Sequence, residues 1–238
     1  MGEAPGVTAQ RNEHITDPGN GELDMLFLFE HVDFDCEGTK WKPLPLDLPK
    51  FKSIMAGYQT AVQNAGWASL FTGNHDQPRV VSRWGDDSAE EVPRPFGQAL
   101  GLMLHMHRGT PYIYQGEELG MTDAHFTRLD QYRDLESLNA YRQRVEEAKV
   151  QSSESMMAGL AARSRDNART PMQWDGSGYA GFTAPDAATE PWISVNPNHA
   201  EINAAGEFDA SGFGVLLLQA TRCAASQQPG SWPPATGD

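Results

Sequence analysis

With 238 residues, 39% of them hydrophobic, the chain has material for one sizeable domain or two small ones. Its 32 acidic against 18 basic side chains give a formal net charge of −14 with Lys and Arg scattered, so the basic patch of a nucleic-acid binder is missing. Two cysteines, Cys36 and Cys223, exclude a disulfide framework and a thiolate zinc site, and no apolar run approaches the roughly 18 residues of a membrane span.

Taken in chain order, residues 25–35 (MLFLFEHVDFD) are an apolar run that ends in charge, the pattern of a strand buried on both faces. Residues 49–66 put Phe51, Ile54, Met55, Tyr58 and Val62 at helical spacing and close on a glycine. Residues 67–76 (WASLFTGNHD) are the next strand candidate, residues 99–109 the next helix, and residues 110–121 (TPYIYQGEELGM) a further short apolar run. Strand, helix, strand, helix, strand in succession argues for an α/β fold of parallel units, without internal repeats. Beyond them, residues 129–147 read as a solvated helix with interleaved charges. Residues 165–183 read as a long irregular loop, which Met172, Trp174, Tyr179 and Phe182 favour as ordered and packed.

Polar residues at the C-terminal ends of barrel strands are the ones to suspect of chemistry. Asp76 follows one predicted strand, Glu30 another, and Glu117 and Glu118 a third. Each of these carboxylates could equally cap a helix or hold loop backbone. Spacing alone leaves open which of them converge.

Four longer stretches carry a resemblance: GNHDQPRVVSRWG (73–85), GTPYIYQGEELGM (109–121), RDNARTPMQWD (165–175) and EPWISVNPNHAEIN (190–203). Together they are similar to the oligo-1,6-glucosidase and α-glucosidase branch of glycoside hydrolase family 13, the α-amylase family, from residue 1 to about residue 210. The opening MGEAPGVT (1–8) resembles a family segment whose glutamate is the general acid/base, which implies Glu3 as proton donor. The resemblance implies that Asp76, the aspartate of Asn-His-Asp, grips sugar hydroxyls and stabilises the transition state. It implies that His75 and Arg165 bind the same sugar ring. A retaining glycosidase needs a carboxylic acid that protonates the leaving oxygen and a second carboxylate about 5–5.5 Å away that attacks the sugar. The acid must keep its proton near neutral pH, so partial burial and nearby negative charge are expected around Glu3.

Blander roles are expected for the other motif residues. Glu117 and Glu118 should anchor loops, Glu30 and His31 should lie near the pocket without touching sugar, and Arg79 and Arg83 should serve structural ion pairs. Trp174 should anchor its loop rather than stack on a sugar.

The resemblance implies a partial (β/α)8 TIM barrel running from the end of strand 5 through strand 8. Residues 1–210 would form the C-terminal half of that catalytic domain and residues 211–238 a tail without family counterpart. The family nucleophile sits in a Gly-Phe-Arg-x-Asp-type segment that these residues do not contain. The isolated chain is therefore expected to be inactive and, with open sheet edges, prone to aggregate. Residues 92–98 and 213–223 depart from the pattern as displaced reading frames would, although divergent loops would look the same. The expected partner is a small oligosaccharide, with no nucleic acid, membrane or redox cofactor involved, and the expected compartment is the cytoplasm. Calcium stabilises some family members, but no residue here resolves a site. Open alternatives are an inactive gene product, a non-catalytic binding relative, and hydrolysis of sucrose, trehalose phosphate or maltose or isomerisation to trehalose.

Overall fold

A computed structural model describes residues 1–87, 94–184 and 189–207, with backbone alone for 94 and 95. Four short strands form one parallel sheet in the order β1 (Gly2–Glu3), β2 (Leu26–Phe27), β3 (Ala68–Leu70) and β4 (Thr110–Pro111). The register pairs Glu3 with Phe27, Phe27 with Ser69 and Ser69 with Thr110. Parallel neighbours cannot be joined by a hairpin, so each connection crosses back through helix. These are α1 (Ala9–Thr16), then α2 (Leu48–Ala61), then α3 (Val80–Trp84) with α4 (Arg94–Met106). Sequence order and spatial order coincide, as in consecutive β/α units wound in one direction.

Local chemistry explains the helix starts. Thr8 accepts the Arg11 N–H at the head of α1, and Asp47 accepts the Lys50 N–H at 3.0 Å at the head of α2. Pro95 falls in the first turn of α4, where a missing N–H costs nothing. Pro93 and the remaining residues of 88–93 lie outside the described residues, as do 213–223 and the boundary expected at residue 210.

The paired ladders are much shorter than the apolar runs that predict them. Only Leu26–Phe27 of residues 25–35 pairs in the sheet, because the Val32 N–H turns back to the Phe29 carbonyl at 2.9 Å. The rest of that run is still buried: Leu28 and Phe34 pack with Phe51, Met55, Tyr58, Val81 and Trp84 between the sheet and α2 and α3. Behind β3, Ala68 and Leu70 pack on Val62 and Leu104.

The helix expected over 129–147 is interrupted. A 3-10 turn at Leu129–Gln131 gives way to extended backbone at Tyr132, and α5 (Leu135–Tyr141) starts only afterwards, running into a π turn at Arg142–Glu147. The break has a cause: the Arg133 and Asp134 N–H groups both donate to the Asp166 carboxylate, at 2.8 and 3.0 Å, and cannot join a helix ladder. Tyr132 and Ser137 are fully buried, so this stretch is not simply solvated.

After α5 come α6 (Ser153–Arg163) and α7 (Ala204–Glu207). Helix α6 closes a second core of Trp41, Phe126, Tyr132, Met156, Leu160 and Ile193. It approaches so closely that a Cβ on Gly159 would collide with the Trp41 carbonyl oxygen. Of the irregular stretch expected over 165–183, Arg165–Asn167 form a 3-10 turn, and the rest is irregular as expected, held by Trp174 N–H to the Ala180 carbonyl at 2.8 Å. No helix among the described residues is long and apolar enough to cross a membrane.

Candidate active site

Strand β3 leaves the sheet through Phe71 and Thr72 and turns at Asn74, whose side-chain oxygen accepts the Asp76 N–H at 2.8 Å. This Asx turn fixes the backbone that presents His75 and Asp76. The same exit is tied to the loop after β4. The Thr72 hydroxyl donates to Glu117, and the other Glu117 oxygen accepts the Tyr114 N–H at 3.2 Å. Loss of water pushes the Glu117 carboxyl above its ordinary range, against these hydrogen bonds and Arg79, which hold it down. Glu117 thus anchors loops, as its sequence position suggested.

Asp76 meets two guanidinium groups. Arg169 Nη2 lies 2.7 Å from Asp76 Oδ1, and Arg165 Nη1 lies 3.4 Å from the same oxygen. Asp76 Oδ2 faces the His75 ring nitrogen Nε2 at 3.6 Å, too far for a hydrogen bond. The aspartate side chain keeps 36% of its surface accessible and His75 keeps 64%, so a solute can reach both.

Arg165 is bound chiefly elsewhere. Its Nε and Nη2 fork onto Asp134 at 3.1 and 3.0 Å, and Nε also faces Glu136 at 3.2 Å. The Asp134 hydrogen bond raises the Arg165 pKa further, so this cation is fixed. Asp134 occupies the N-cap position of α5 but spends its carboxylate on the arginine instead of the helix. Lys40 Nζ approaches Glu136 at 2.5 Å and extends the network toward the loop after β2.

Glu3 is the last residue of β1 and Asp76 follows β3, so both leave the parallel sheet at its C-terminal end. Two strand spacings separate their strands, about 10 Å along the sheet. Among the described residues the Glu3 side chain makes no hydrogen bond or ion pair, and Glu3 is exposed rather than partly buried as the proton-donor role requires. The structure therefore gathers His75, Asp76 and Arg165, and leaves Glu3 on the same rim without a hydrogen bond or ion pair to them.

Other expectations are sharpened. Arg83 is a structural ion-pair partner: it grips Asp35 with Nε at 3.0 Å and Nη2 at 2.7 Å, while Arg163 Nη2 reaches the same carboxylate at 2.9 Å. Among the described residues Arg79 forms no ion pair: its buried guanidinium donates to the Gln115 and Ala168 carbonyls at 2.5 and 3.3 Å, while the Asp123 and Glu117 carboxylates act on it only as nearby charges. His31 is fully buried between Phe71 and Tyr58, where burial, then the Arg83 charge, lower its pKa to about 3 and keep it neutral. Trp174 holds its loop through backbone alone: it is 52% exposed and Phe182 48%, so of the loop residues expected to pack Met172 is the buried one. Among the described residues no group of three or more His, Cys, Asp or Glu could hold a metal ion.

Sequence reasoning missed Arg169, Asp134 and Glu136. Arg169 lay inside the quoted RDNAR motif, four residues after Arg165, but an arginine pair at that spacing looks the same on a solvated turn. Asp134 and Glu136 sat inside a stretch read as one helix, which hid the break that exposes them.

Comparison with known proteins gives this arrangement relatives. Residues 1–215 match the family model described as alpha amylase, catalytic domain. An oligo-1,6-glucosidase of Bacillus cereus is 48% identical over 204 residues, 85% of this chain and 35% of the relative. A trehalose-6-phosphate hydrolase of Bacillus subtilis strain 168 is 47% identical over 206 residues, 86% of this chain and 35% of that protein. The chain thus spans about a third of the length of these curated relatives, 35% in each case. Among solved structures, the trehalose-6-phosphate hydrolase of Bacillus licheniformis superimposes with a TM-score of 0.85 at 41% identity, over 94% of this chain and 40% of that one. A mutant isomaltulose synthase of Erwinia rhapontici NX5, solved with its natural substrate sucrose, gives 0.84 at 32% identity, over 93% and 39%.

Proposed function

This chain belongs to the α-amylase catalytic-domain family, and on that premise we propose that it carries the acid/base and sugar-gripping part of a retaining α-glucosidase site. The substrate is a short oligosaccharide with a terminal α-linked glucose. Residues 1–210 are then the C-terminal part of a (β/α)8 barrel, from the end of the fifth strand through the eighth, and residues 211–238 a separate tail.

The observation that carries the reading is the Asp76 carboxylate, held at the exit of β3 with one oxygen bound by arginine, the other facing only the His75 ring at 3.6 Å, and 36% of the side chain accessible. Such a group can accept hydrogen bonds from two vicinal hydroxyls and offset the positive charge that develops on the ring. His75 and Arg165 flank it and bind the same sugar. Glu3, on the same rim, protonates the leaving oxygen once the bound substrate covers it and lowers its access to water. The attacking carboxylate is assigned to no residue of this chain.

The α-1,6 linkage is the first choice of substrate, from relatives named for it at 48 and 49% identity. The trehalose-6-phosphate hydrolase, at 47%, supports a phosphorylated disaccharide as the second.

Saturation-transfer NMR of the purified chain with glucose, isomaltose and trehalose 6-phosphate tests the proposal. Contact at the terminal glucose ring, abolished in Asp76→Asn, is expected, with no turnover by the chain alone. An unchanged signal in Asp76→Asn would sink the site assignment. Turnover that disappears in Glu3→Gln would place the nucleophile among these residues after all.

A further inference from the structure

The motif that gives Arg165 its role leaves a second arginine unexplained, and the geometry separates the two. Arg165 commits its fork to Asp134 and meets Asp76 only at 3.4 Å. Arg169 does the reverse. Its Nε donates to the His75 carbonyl at 2.9 Å, its Nη2 binds Asp76 Oδ1 at 2.7 Å, and its Nη1 reaches Asp134 only at 3.5 Å.

One planar guanidinium therefore holds the backbone of one motif residue and the side chain of the next. A lysine, with one nitrogen on a flexible stem, lacks the planar fork that spans these two acceptors at fixed spacing. The platform beneath Arg169 is itself rigid. The Ala168 carbonyl accepts from the Tyr114 hydroxyl at 3.0 Å and from Arg79 at 3.3 Å, and the Asn167 amide donates to the Ala161 carbonyl at 2.8 Å. Ala168 and Asn167 are essentially inaccessible to water.

We propose that Arg169 is the positioning residue of the His75–Asp76 loop: by occupying Asp76 Oδ1 and the His75 carbonyl together, it fixes the loop and leaves Oδ2 to the sugar. This rests on the reading of Asp76 as the sugar-gripping carboxylate. A positioning group of this kind acts before any ligand arrives, so its effect is measurable without one.

The experiment compares the whole chain with Arg169→Ala, Arg169→Lys and Arg165→Ala by amide hydrogen exchange, without sugar and with glucose. In Arg169→Ala, exchange at Asp76 and Gln77 should rise at least about tenfold while amides around Asp35 are unchanged, and glucose binding should fall by a similar factor. Ethylguanidinium in solution should restore both, which a merely structural loss would not allow. Arg165→Ala should weaken glucose binding without raising exchange at Asp76. If Arg169→Ala does not fold, Arg169→Lys supplies the comparison, because an ammonium does not reproduce the fixed fork and Asp76 exchange still rises. Exchange at Asp76 unchanged in a folded Arg169 variant, or rescue by ethylguanidinium absent, overturns the proposal. Absence of glucose binding by the wild-type chain would count against the glucosidase reading alone, since the exchange result still decides the role of Arg169.

Discussion

Asp35 and Asp76 are both aspartates gripped by two arginines, and they do opposite things. The Asp35 side chain is wholly buried, its arginines Arg83 and Arg163 are 2% and 6% exposed, and the Trp84 indole adds a third donor at 2.8 Å. Both of its carboxylate oxygens are occupied. At Asp76 the arginines crowd one oxygen, the other is open, and about a third of the side chain meets water. The same ion-pair chemistry makes a structural node when both oxygens are bound inside, and leaves an acceptor within reach of a solute when one is not.

Breaking the buried node should have the largest effect. Asp35→Ala leaves two guanidinium groups without a counter-charge, which costs about 3–5 kcal/mol. For a chain of this size that corresponds to a fall of roughly 10 °C in Tm, read by thermal circular dichroism. A loss under about 1 kcal/mol would mean that water reaches the node and that the contrast with Asp76 is false.

Acid should expose the same node with a smaller effect. Burial alone would raise the Asp35 carboxyl, but hydrogen bonds and charge from Arg83 and then Arg163 hold it at about 2. Its folded pKa is below the unfolded value, so the stabilisation is full above about pH 4 and disappears as pH falls toward 2. The amount is about 2 kcal/mol, from the difference between folded and unfolded pKa values. Urea melts between pH 5 and 2 should show this loss in the wild-type chain and a shallower one in Asp35→Asn.

A third test uses Asp123, which is buried with its Oδ1 accepting the Arg79 N–H at 2.7 Å. Burial pushes its carboxyl up to about 8. Here the sign reverses: a raised carboxyl favours the folded chain at low pH and weakens it as pH climbs toward 8. Asp123→Asn keeps the accepting oxygen and removes the titration, so its Tm should exceed that of the wild type by a few degrees at pH 8. The difference should shrink at pH 5. Equal Tm values at both pH values would show that Arg79 already compensates the charge.

These contrasts also show what was legible in the sequence. The parallel β/α order followed from apolar runs at Leu26–Phe27, Ala68–Leu70 and Thr110–Pro111 alternating with helical spacing, because burial writes itself into periodicity. His75, Asp76 and Arg165 were legible only through motif resemblance, since nothing in local spacing says that residues 89 positions apart will meet. Asp134 and Glu136 stayed hidden because their exposure to Arg165 depends on a helix break imposed by Asp166, a tertiary hydrogen bond with no local signature, and Arg169 because its partners lie 94 and 93 positions away. Arg79 and Arg83 look alike in sequence, yet one faces carbonyls and the other Asp35. What surrounds a buried arginine is decided by packing, not by its own neighbours.

The smallest expected effect belongs to Asp76. An ion pair open to water contributes about 0–1 kcal/mol, because solvent and salt screen it and the side chains lose freedom to form it. Asp76→Asn should therefore leave the urea midpoint nearly unchanged while removing sugar contact, the mirror image of Asp35→Ala, which lowers stability first. Raising salt from low to physiological strength should erase what little stability separates Asp76→Asn from the wild type, and should leave the deficit of Asp35→Ala in place. If Asp76→Asn proves as destabilising as Asp35→Ala, the open oxygen is not free in solution and the carboxylate is part of the scaffold instead of the site.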